Sequence, residues 1–183
     1  HVPAMQQIIR ERMVQMLSEG DAFERMIGNY DPPQGNPRFL KAMASLLQRS
    51  LGWNVGPENL AITCGGQTAF FYLFNLLAGK FSDGRRRKVL LPLAPEYIGY
   101  ADQGIDADLF VACRPHITWP KGEAANEFKY GIDFEAVDSA LKKEDIALMA
   151  VSRPTNPTGN VHTDAEIERL SALAEAHDIP LII

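Results

Sequence analysis

The feature that most constrains the fold is a series of short apolar runs that alternate with helical patterns. The runs KVLLPL, ADLFVAC, IALMAV and IPLII are each too short for an ordinary helix and are apolar at successive positions. Helical patterns separate them, with Asp133 as the predicted start of one helix and a Thr163–Glu166 capping box at the start of another. Strands that are apolar on both faces are typical of parallel sheets. The sequence therefore predicts an α/β fold with a mostly parallel sheet and helices on both faces.

The front of the chain is predicted to be mostly helical. Apolar residues at helical spacing predict one amphipathic helix from Met5 to Glu19, and Asn36 followed by Pro37 predicts the N-cap and first position of a second. LAIT at 60–63 is then predicted to be a short strand, and TAFFYLFNLLAG a helix so apolar that it should be buried. The segment 114–130 has no hydrophobic periodicity and is therefore expected to cross the surface as a loop.

Charge and cysteine content exclude several classes of partner. The formal net charge is −5, and the basic run RRRK at 85–88 has no aromatic platform beside it, so no nucleic-acid partner is expected. No apolar run approaches the roughly 18 residues of a membrane span. Cys64 and Cys113 are expected to be buried, reduced thiols, which fits the cytoplasm.

The histidines do not suggest a metal site. They show no metal-ligand spacing and are predicted to be surface residues, so no metal is expected. They are His1, His116, His162 and His177.

Three polar motifs follow predicted strands: TCGGQT at 63–68, PLAPEYIGY at 92–100 and SRPTNPTG at 152–159. In a parallel sheet such exits lie at one edge, where ligands bind. Gly65 and Gly66 lead into a helix N-terminus, which favours phosphate, although a glycine pair is about as often simply a tight turn. Tyr97 could stack on a planar ligand or could pack, with its neighbour Tyr100, at a domain edge.

The third motif is stiff as well as polar. Its two prolines fix the backbone, Gly159 allows a conformation closed to other residues, and the side chain of Asn156 offers both a donor and an acceptor. A phosphate cradle, a stacking ring and an oriented amide together describe a site for a phosphorylated aromatic cofactor.

The motifs resemble those of the fold-type I pyridoxal-phosphate aminotransferases over essentially the whole chain. The resemblance is carried by YDPPQGNPRFLKAMASLL, TCGGQTAFFYLFNLLAG, APEYIGY and SRPTNPTGNV. It implies that Gly65, Gly66 and Gln67 bind the phosphate of pyridoxal 5'-phosphate, that Tyr97 stacks on its pyridine ring and that Asn156 hydrogen-bonds its 3-oxygen. It also implies that Tyr30 reaches the phosphate of the neighbouring subunit's cofactor, and hence a homodimer.

The resemblance further implies residues that this chain does not contain. The lysine that forms the Schiff base, the aspartate that protonates the pyridine nitrogen and the main carboxylate-binding arginine are expected beyond Ile183. Residues 1–55 would form an N-terminal helical segment with dimer contacts, and residues 56–183 the front part of the cofactor domain. The full-length protein would transfer an amino group between a small or branched aliphatic amino acid, such as valine or alanine, and a 2-oxo acid such as pyruvate. The isolated chain would be inactive.

Two other functions carry the same motifs. One is an aminotransferase-like domain that senses a ligand within a transcription regulator, and the other is a related pyridoxal-phosphate enzyme that performs elimination or decarboxylation. Arg153 could clamp a substrate carboxylate, but an ion pair that supports the structure is the preferred interpretation.

Overall fold

The computed structural model describes residues 2–122 and 126–183. The helices are α1 (Pro3–Met16), α2 (Ala22–Gly28), α3 (Pro37–Leu51), α4 (Gly66–Leu77), α5 (Phe134–Lys143) and α6 (Asp164–Ala176), with short 3₁₀ helices at Pro57–Asn59 and Ile98–Gln103. The strands are β1 (Gly79–Lys80), β2 (Arg86–Leu91), β3 (Phe110–Ala112), β4 (His116–Thr118), β5 (Lys129–Gly131), β6 (Ile146–Ala150) and β7 (Leu181–Ile182). The chain divides into two compact units, one up to Thr63 and the other Cys64–Ile183. The functional division after residue 55 stays a prediction.

The main sheet lies in the second unit and is mostly parallel. Strand β2 pairs in parallel with β3 and with β6, and β6 pairs in parallel with β7. Strand β1 adds an antiparallel pairing at the start of β2. The predicted α/β class with a mostly parallel sheet is therefore confirmed.

Two apolar cores cover the two faces of this sheet. Leu90 and Met149 point into one core, which α5 and α6 complete, whereas Val89 and Leu148 point into the other, which contains Phe74 of α4. Side chains alternate between the faces because the period of a strand is two. Every residue of β6 is buried, as its continuous apolar run predicts. Helices therefore lie on both faces.

The start of α6 is fixed by the predicted capping box. The hydroxyl of Thr163 accepts a hydrogen bond from the Glu166 N–H at 3.2 Å, and the Glu166 carboxylate accepts one from the Thr163 N–H at 2.7 Å. Glu166 also accepts from the Ile132 N–H at 3.3 Å, which ties α6 to the segment before α5. Burial acts to raise the pKa of Glu166, but these hydrogen bonds and the nearby His162 outweigh it and hold that pKa below its usual value.

Loss of this cap has a measurable cost. We expect Thr163→Ala to lower the free energy of unfolding by about 1 kcal/mol, because the Glu166 N–H loses its acceptor at a helix end. Thr163→Ser, which keeps the hydroxyl, should cost less than half as much. Urea denaturation of the full-length protein measures both variants, and equal losses would show that the hydroxyl is not what stabilises the helix.

Two predicted elements are wrong. The segment LAIT is not a strand, because its backbone is held by Gln34 instead of by a neighbouring strand: the Ile62 N–H donates to the Gln34 carbonyl oxygen at 2.9 Å, and the Gln34 side chain donates to the Leu60 carbonyl oxygen at 2.6 Å. The segment 114–130 is not simply a loop. It contains β4, which pairs antiparallel with β5, and Phe128 packs between Trp119 and Tyr130.

Burial of the helices also differs from the prediction. The predicted apolar face of α1 exists, but more than half of the surface of Met5, Ile8 and Val14 is exposed. In α4, Phe74 is completely buried, yet Leu76 is 72% exposed. A pattern shows which face can be buried, whereas burial itself needs a neighbouring element to cover that face. Among residues 2–122 and 126–183, no helix combines the length and apolarity needed to cross a bilayer.

Candidate functional site

The exits of β2 and β6 meet at one edge of the sheet, as predicted for adjacent parallel strands. Glu96 follows β2 and Ser152 follows β6. The Ser152 N–H donates to one Glu96 carboxylate oxygen at 2.7 Å, and the Ser152 hydroxyl donates to the other at 2.7 Å. The motif that contains Tyr97 and the motif that contains Asn156 are thus joined directly.

The N-terminus of α4 reaches the same region through aromatic contacts. The ring of Phe70, in the first turns of α4, lies 4.9 Å from the ring of Tyr100, which in turn lies 5.6 Å from the ring of Tyr97. The Asn75 side chain also donates to the Gln103 carbonyl oxygen at 2.6 Å. These contacts hold α4 against the 3₁₀ helix that follows Tyr97.

The start of α4 leaves its backbone amides approachable. Gly65 adopts φ 98°, a conformation that favours glycine, and no side chain caps the first turn. Apart from its chain neighbours and the nearby backbone of α4, no described atom lies within 4 Å of where a Cβ of Gly66 would be. Amides of a first helical turn have no partner within the helix, and the helix dipole favours an anion there. This end of α4 can therefore bind a phosphate.

Tyr97 is half-buried, and its ring stands edge-on to that of Tyr100 at 89°. A Cβ on Gly99 would overlap the Tyr97 ring in its present position, so glycine allows the ring to lie on this backbone. Tyr100 is buried and its hydroxyl lies 3.4 Å from the Ser152 hydroxyl. Burial raises the pKa of Tyr100, so the phenol stays protonated at neutral pH. Tyr100 is thus buried behind Tyr97, whose ring is only half-buried.

The turn after β6 presents Asn156 on its exposed side. The Thr155 N–H donates to the Asn160 carbonyl oxygen at 2.8 Å, and the Gly159 N–H donates to the Thr155 carbonyl oxygen at 2.7 Å. Gly159 has φ 69°, as its predicted special conformation requires. The peptide bonds before Pro154 and Pro157 are cis. Thr155 is buried, so the turn is anchored on one side and exposed at Asn156 on the other.

Arg153 forms the predicted ion pair. Its Nη2 lies 2.5 Å from Oδ1 of Asp164 at the start of α6. The guanidinium is thereby directed to the helix end, which favours a structural role over a carboxylate clamp.

His162 is buried, so its predicted surface position is wrong. The side chain is 0% exposed, and its Nε2 lies 3.4 Å from the hydroxyl of Thr155. Burial lowers the pKa of His162, with smaller opposing effects from Glu166 and Glu96 and supporting effects from Lys129 and Arg153. His116 and His177 are exposed, as predicted, and His1 lies outside the described residues.

The low pKa of His162 makes stability depend on pH. A histidine whose pKa is lower in the folded than in the unfolded state destabilises the fold as pH falls below about 6.5, because the unfolded chain binds the proton more tightly. We expect the free energy of unfolding to fall between pH 7.5 and pH 5.5, and to fall less in His162→Gln. Urea denaturation across this range measures the effect. The exposed His177→Gln should keep the wild-type dependence, and an unchanged slope in His162→Gln would refute the assignment.

The cysteines differ from each other. Cys113 is buried, as predicted, and burial raises its pKa. Cys64 is exposed, which contradicts the prediction, because it directly precedes the open turn at Gly65 instead of following a paired strand. No cluster of three or more metal-ligating side chains occurs among residues 2–122 and 126–183.

The residues present fit pyridoxal phosphate. The approachable amides at the start of α4 suit its phosphate, the Tyr97 ring suits one face of a planar pyridine and the exposed Asn156 amide suits its ring oxygen. Sequence reasoning named these residues but missed Glu96, Ser152 and Gly99, which arrange them. The signal for Glu96 was an ionisable residue between Pro95 and Tyr97 at a strand exit.

Known proteins are similar to this chain over its whole length. The family described as aminotransferase class I and II matches residues 9–183. Valine–pyruvate aminotransferase of Escherichia coli is 50% identical over 183 residues, which are 100% of this chain and 42% of that protein. The chain thus spans less than half the length of this relative.

Solved structures agree in fold. The crystal structure of valine–pyruvate aminotransferase from Salmonella typhimurium matches with a TM-score of 0.76 and 46% identity, over 99% of this chain and 42% of that one. A protein of Psychrobacter arcticum that is described as an amino-acid aminotransferase matches with a TM-score of 0.80 and 39% identity, over 96% of this chain and 44% of that one.

Proposed function

Because this chain belongs to the class I and II aminotransferases, we propose that the full-length protein containing it is a pyridoxal-phosphate-dependent aminotransferase. The observation that carries the proposal is the direct joining of the β2 and β6 exits, with α4 packed against the 3₁₀ helix that follows Tyr97. The start of α4, the Tyr97 ring and the Asn156 turn are connected through Tyr100, Glu96 and Ser152.

Each residue has a defined task in this proposal. The backbone N–H groups of Gly66 and Gln67 hold the phosphate, with Gly65 setting the turn. The Tyr97 ring covers one face of the pyridine, and the Asn156 amide donates to the 3-oxygen. When bound, pyridoxal phosphate supplies the electron sink for chemistry at the substrate Cα. The lysine nucleophile stays a prediction for the sequence beyond Ile183.

We further propose that the protein assembles as a homodimer in which Tyr30 contacts the phosphate site of the neighbouring subunit. Tyr30 is fully exposed in this chain, so its ring is available to a second chain. The N-terminal apolar face of α1, also exposed, supports the proposed dimer contacts of residues 1–55. The cytoplasmic location suggested by the two unpaired cysteines stays a prediction.

The proposed substrates are an aliphatic amino acid, valine or alanine, and a 2-oxo acid such as pyruvate. The support is the 50% identity to a valine–pyruvate aminotransferase. The test is to incubate the full-length protein with pyridoxal phosphate, L-valine and pyruvate and to quantify the 2-oxo acid from valine and the alanine formed. L-Aspartate with pyruvate is the matched control and should give little product.

The outcomes separate the alternatives. Equal amounts of the two products would support transamination. A product that lacks the amino group without formation of alanine would indicate elimination or another reaction type. Cofactor binding with no turnover of any amino acid would favour the ligand-sensing domain.

A further inference from the structure

The carboxylate of Glu96 joins the two strand exits at the site. It accepts hydrogen bonds from the Ser152 N–H at 2.7 Å, the Ser152 hydroxyl at 2.7 Å and the Tyr97 N–H at 3.0 Å. Glu96 and Ser152 are 56 residues apart in sequence. A contact between such distant residues fixes tertiary geometry that local turn preferences cannot fix.

The two partners flank the residues proposed to touch the cofactor. Glu96 directly precedes Tyr97, and Ser152 lies four residues before Asn156. Asn156 itself is exposed within its turn, so its position depends on where the base of the turn is held. The Glu96–Ser152 contact is at that base.

The hydrogen bonds of the Glu96 carboxylate suit a positioning role better than a role in proton transfer. An ionised carboxylate only accepts hydrogen bonds, and three protein donors already occupy these two oxygens. Hydrogen bonds to a charged acceptor are about twice as strong as those between neutral groups. Both residues are half-buried, and Tyr100, which is buried, stands 3.4 Å from the Ser152 hydroxyl on the other side.

We propose that Glu96 is a positioning residue, which through Ser152 sets the separation between the Tyr97 ring and the Asn156 amide. This inference rests on the proposed function, since it assigns the two positioned groups to the cofactor. Its consequence is that loss of the Glu96 charge weakens cofactor binding even though Glu96 does not touch the cofactor.

The test compares variants of the full-length protein. Glu96→Gln keeps the shape but replaces one acceptor oxygen by a donor, and Ser152→Ala removes one of the three donors. Glu144→Gln is the matched control, because Glu144 forms a 2.9 Å ion pair with Lys88 at the opposite end of the parallel strands. The readouts are the dissociation constant of pyridoxal phosphate, the circular dichroism of the bound cofactor and amide hydrogen exchange of residues 153–160 in the apoprotein.

We expect Glu96→Gln to raise the dissociation constant about tenfold, Ser152→Ala about threefold and Glu144→Gln not at all. The double variant should be no worse than Glu96→Gln, since both remove the same contact. The cofactor's circular dichroism should weaken and exchange of 153–160 should accelerate in both single variants.

If the Glu96→Gln protein kept the wild-type affinity for pyridoxal phosphate and the wild-type circular dichroism of the bound cofactor, the inference would be overturned. This holds even if the melting temperature of the variant were lower. If Glu96→Gln does not fold, the milder Ser152→Ala decides by the same criteria. If the wild-type protein did not bind pyridoxal phosphate, the proposed function would be wrong. Amide hydrogen exchange of residues 153–160 in the apoprotein tests the Glu96–Ser152 contact separately, because it needs no cofactor.

Discussion

Asn156→Ala is expected to lower the kcat/KM of the full-length protein by about tenfold to about a hundredfold. The proposed hydrogen bond from its amide to the cofactor's 3-oxygen is charge-assisted, and such bonds contribute about 1.5–3 kcal/mol. The turn should survive the substitution, because its internal hydrogen bonds involve the backbone of Thr155, Gly159 and Asn160. Steady-state kinetics with valine and pyruvate, together with the absorption spectrum of the bound cofactor, measure the effect.

The control for this prediction is Asn54→Ala, which changes an exposed asparagine outside the helices and strands. It should leave both the kinetics and the spectrum unchanged. Wild-type kcat/KM and an unshifted spectrum in Asn156→Ala would remove Asn156 from the site.

Phe74→Ala is expected to have the largest effect on stability, a loss of about 3–5 kcal/mol in the free energy of unfolding. Phe74 is completely buried, and its ring lies 5.4 Å from that of Tyr100 and 5.5 Å from that of Phe110. The substitution therefore leaves a cavity between α4 and the sheet. It should also loosen Tyr100, so affinity for pyridoxal phosphate should fall together with stability.

The matched control is Phe128→Ala, since Phe128 is 50% exposed on the β4–β5 hairpin. We expect its cost to be less than half that of Phe74→Ala, by urea denaturation of both variants. Equal costs would mean that the core around Phe74 is not packed as described.

Local patterns predicted the elements whose causes are local. Asn36 accepts from the N–H groups of Arg38 and Phe39 at the start of α3, and the Thr163 capping box starts α6. Both arrangements need only residues within one turn of each other. The run IALMAV predicted a buried strand because a continuous apolar stretch has few other stable positions in such a fold.

The remaining features depend on partners that are distant in sequence. LAIT has strand composition but is held by Gln34, and β4 pairs with β5 although no hydrophobic periodicity marks either strand. His162 is buried beside Thr155, more than one turn away in the chain, and is also influenced by Glu96, which is distant in sequence. Neither a propensity nor a motif contains this information, since both describe residues that are near in sequence.

In the candidate site, too, residues within local motifs were predicted, whereas residues that depend on distant contacts were not. The motifs named Gly65, Tyr97 and Asn156, whose residue types reflect the chemistry of the ligand. Glu96 and Ser152 were missed, because the contact between them spans 56 residues of sequence.

The most direct test of the proposed cofactor site is a crystal structure of the full-length protein with pyridoxal phosphate. In it the phosphate should lie within hydrogen-bonding distance of the Gly66 and Gln67 backbone nitrogens, the pyridine ring should lie against Tyr97 and the 3-oxygen should accept from the Asn156 amide. Tyr30 of the neighbouring subunit should approach the same phosphate. A cofactor bound away from the shared exits of β2 and β6, or no bound cofactor at saturating concentration, would refute this site.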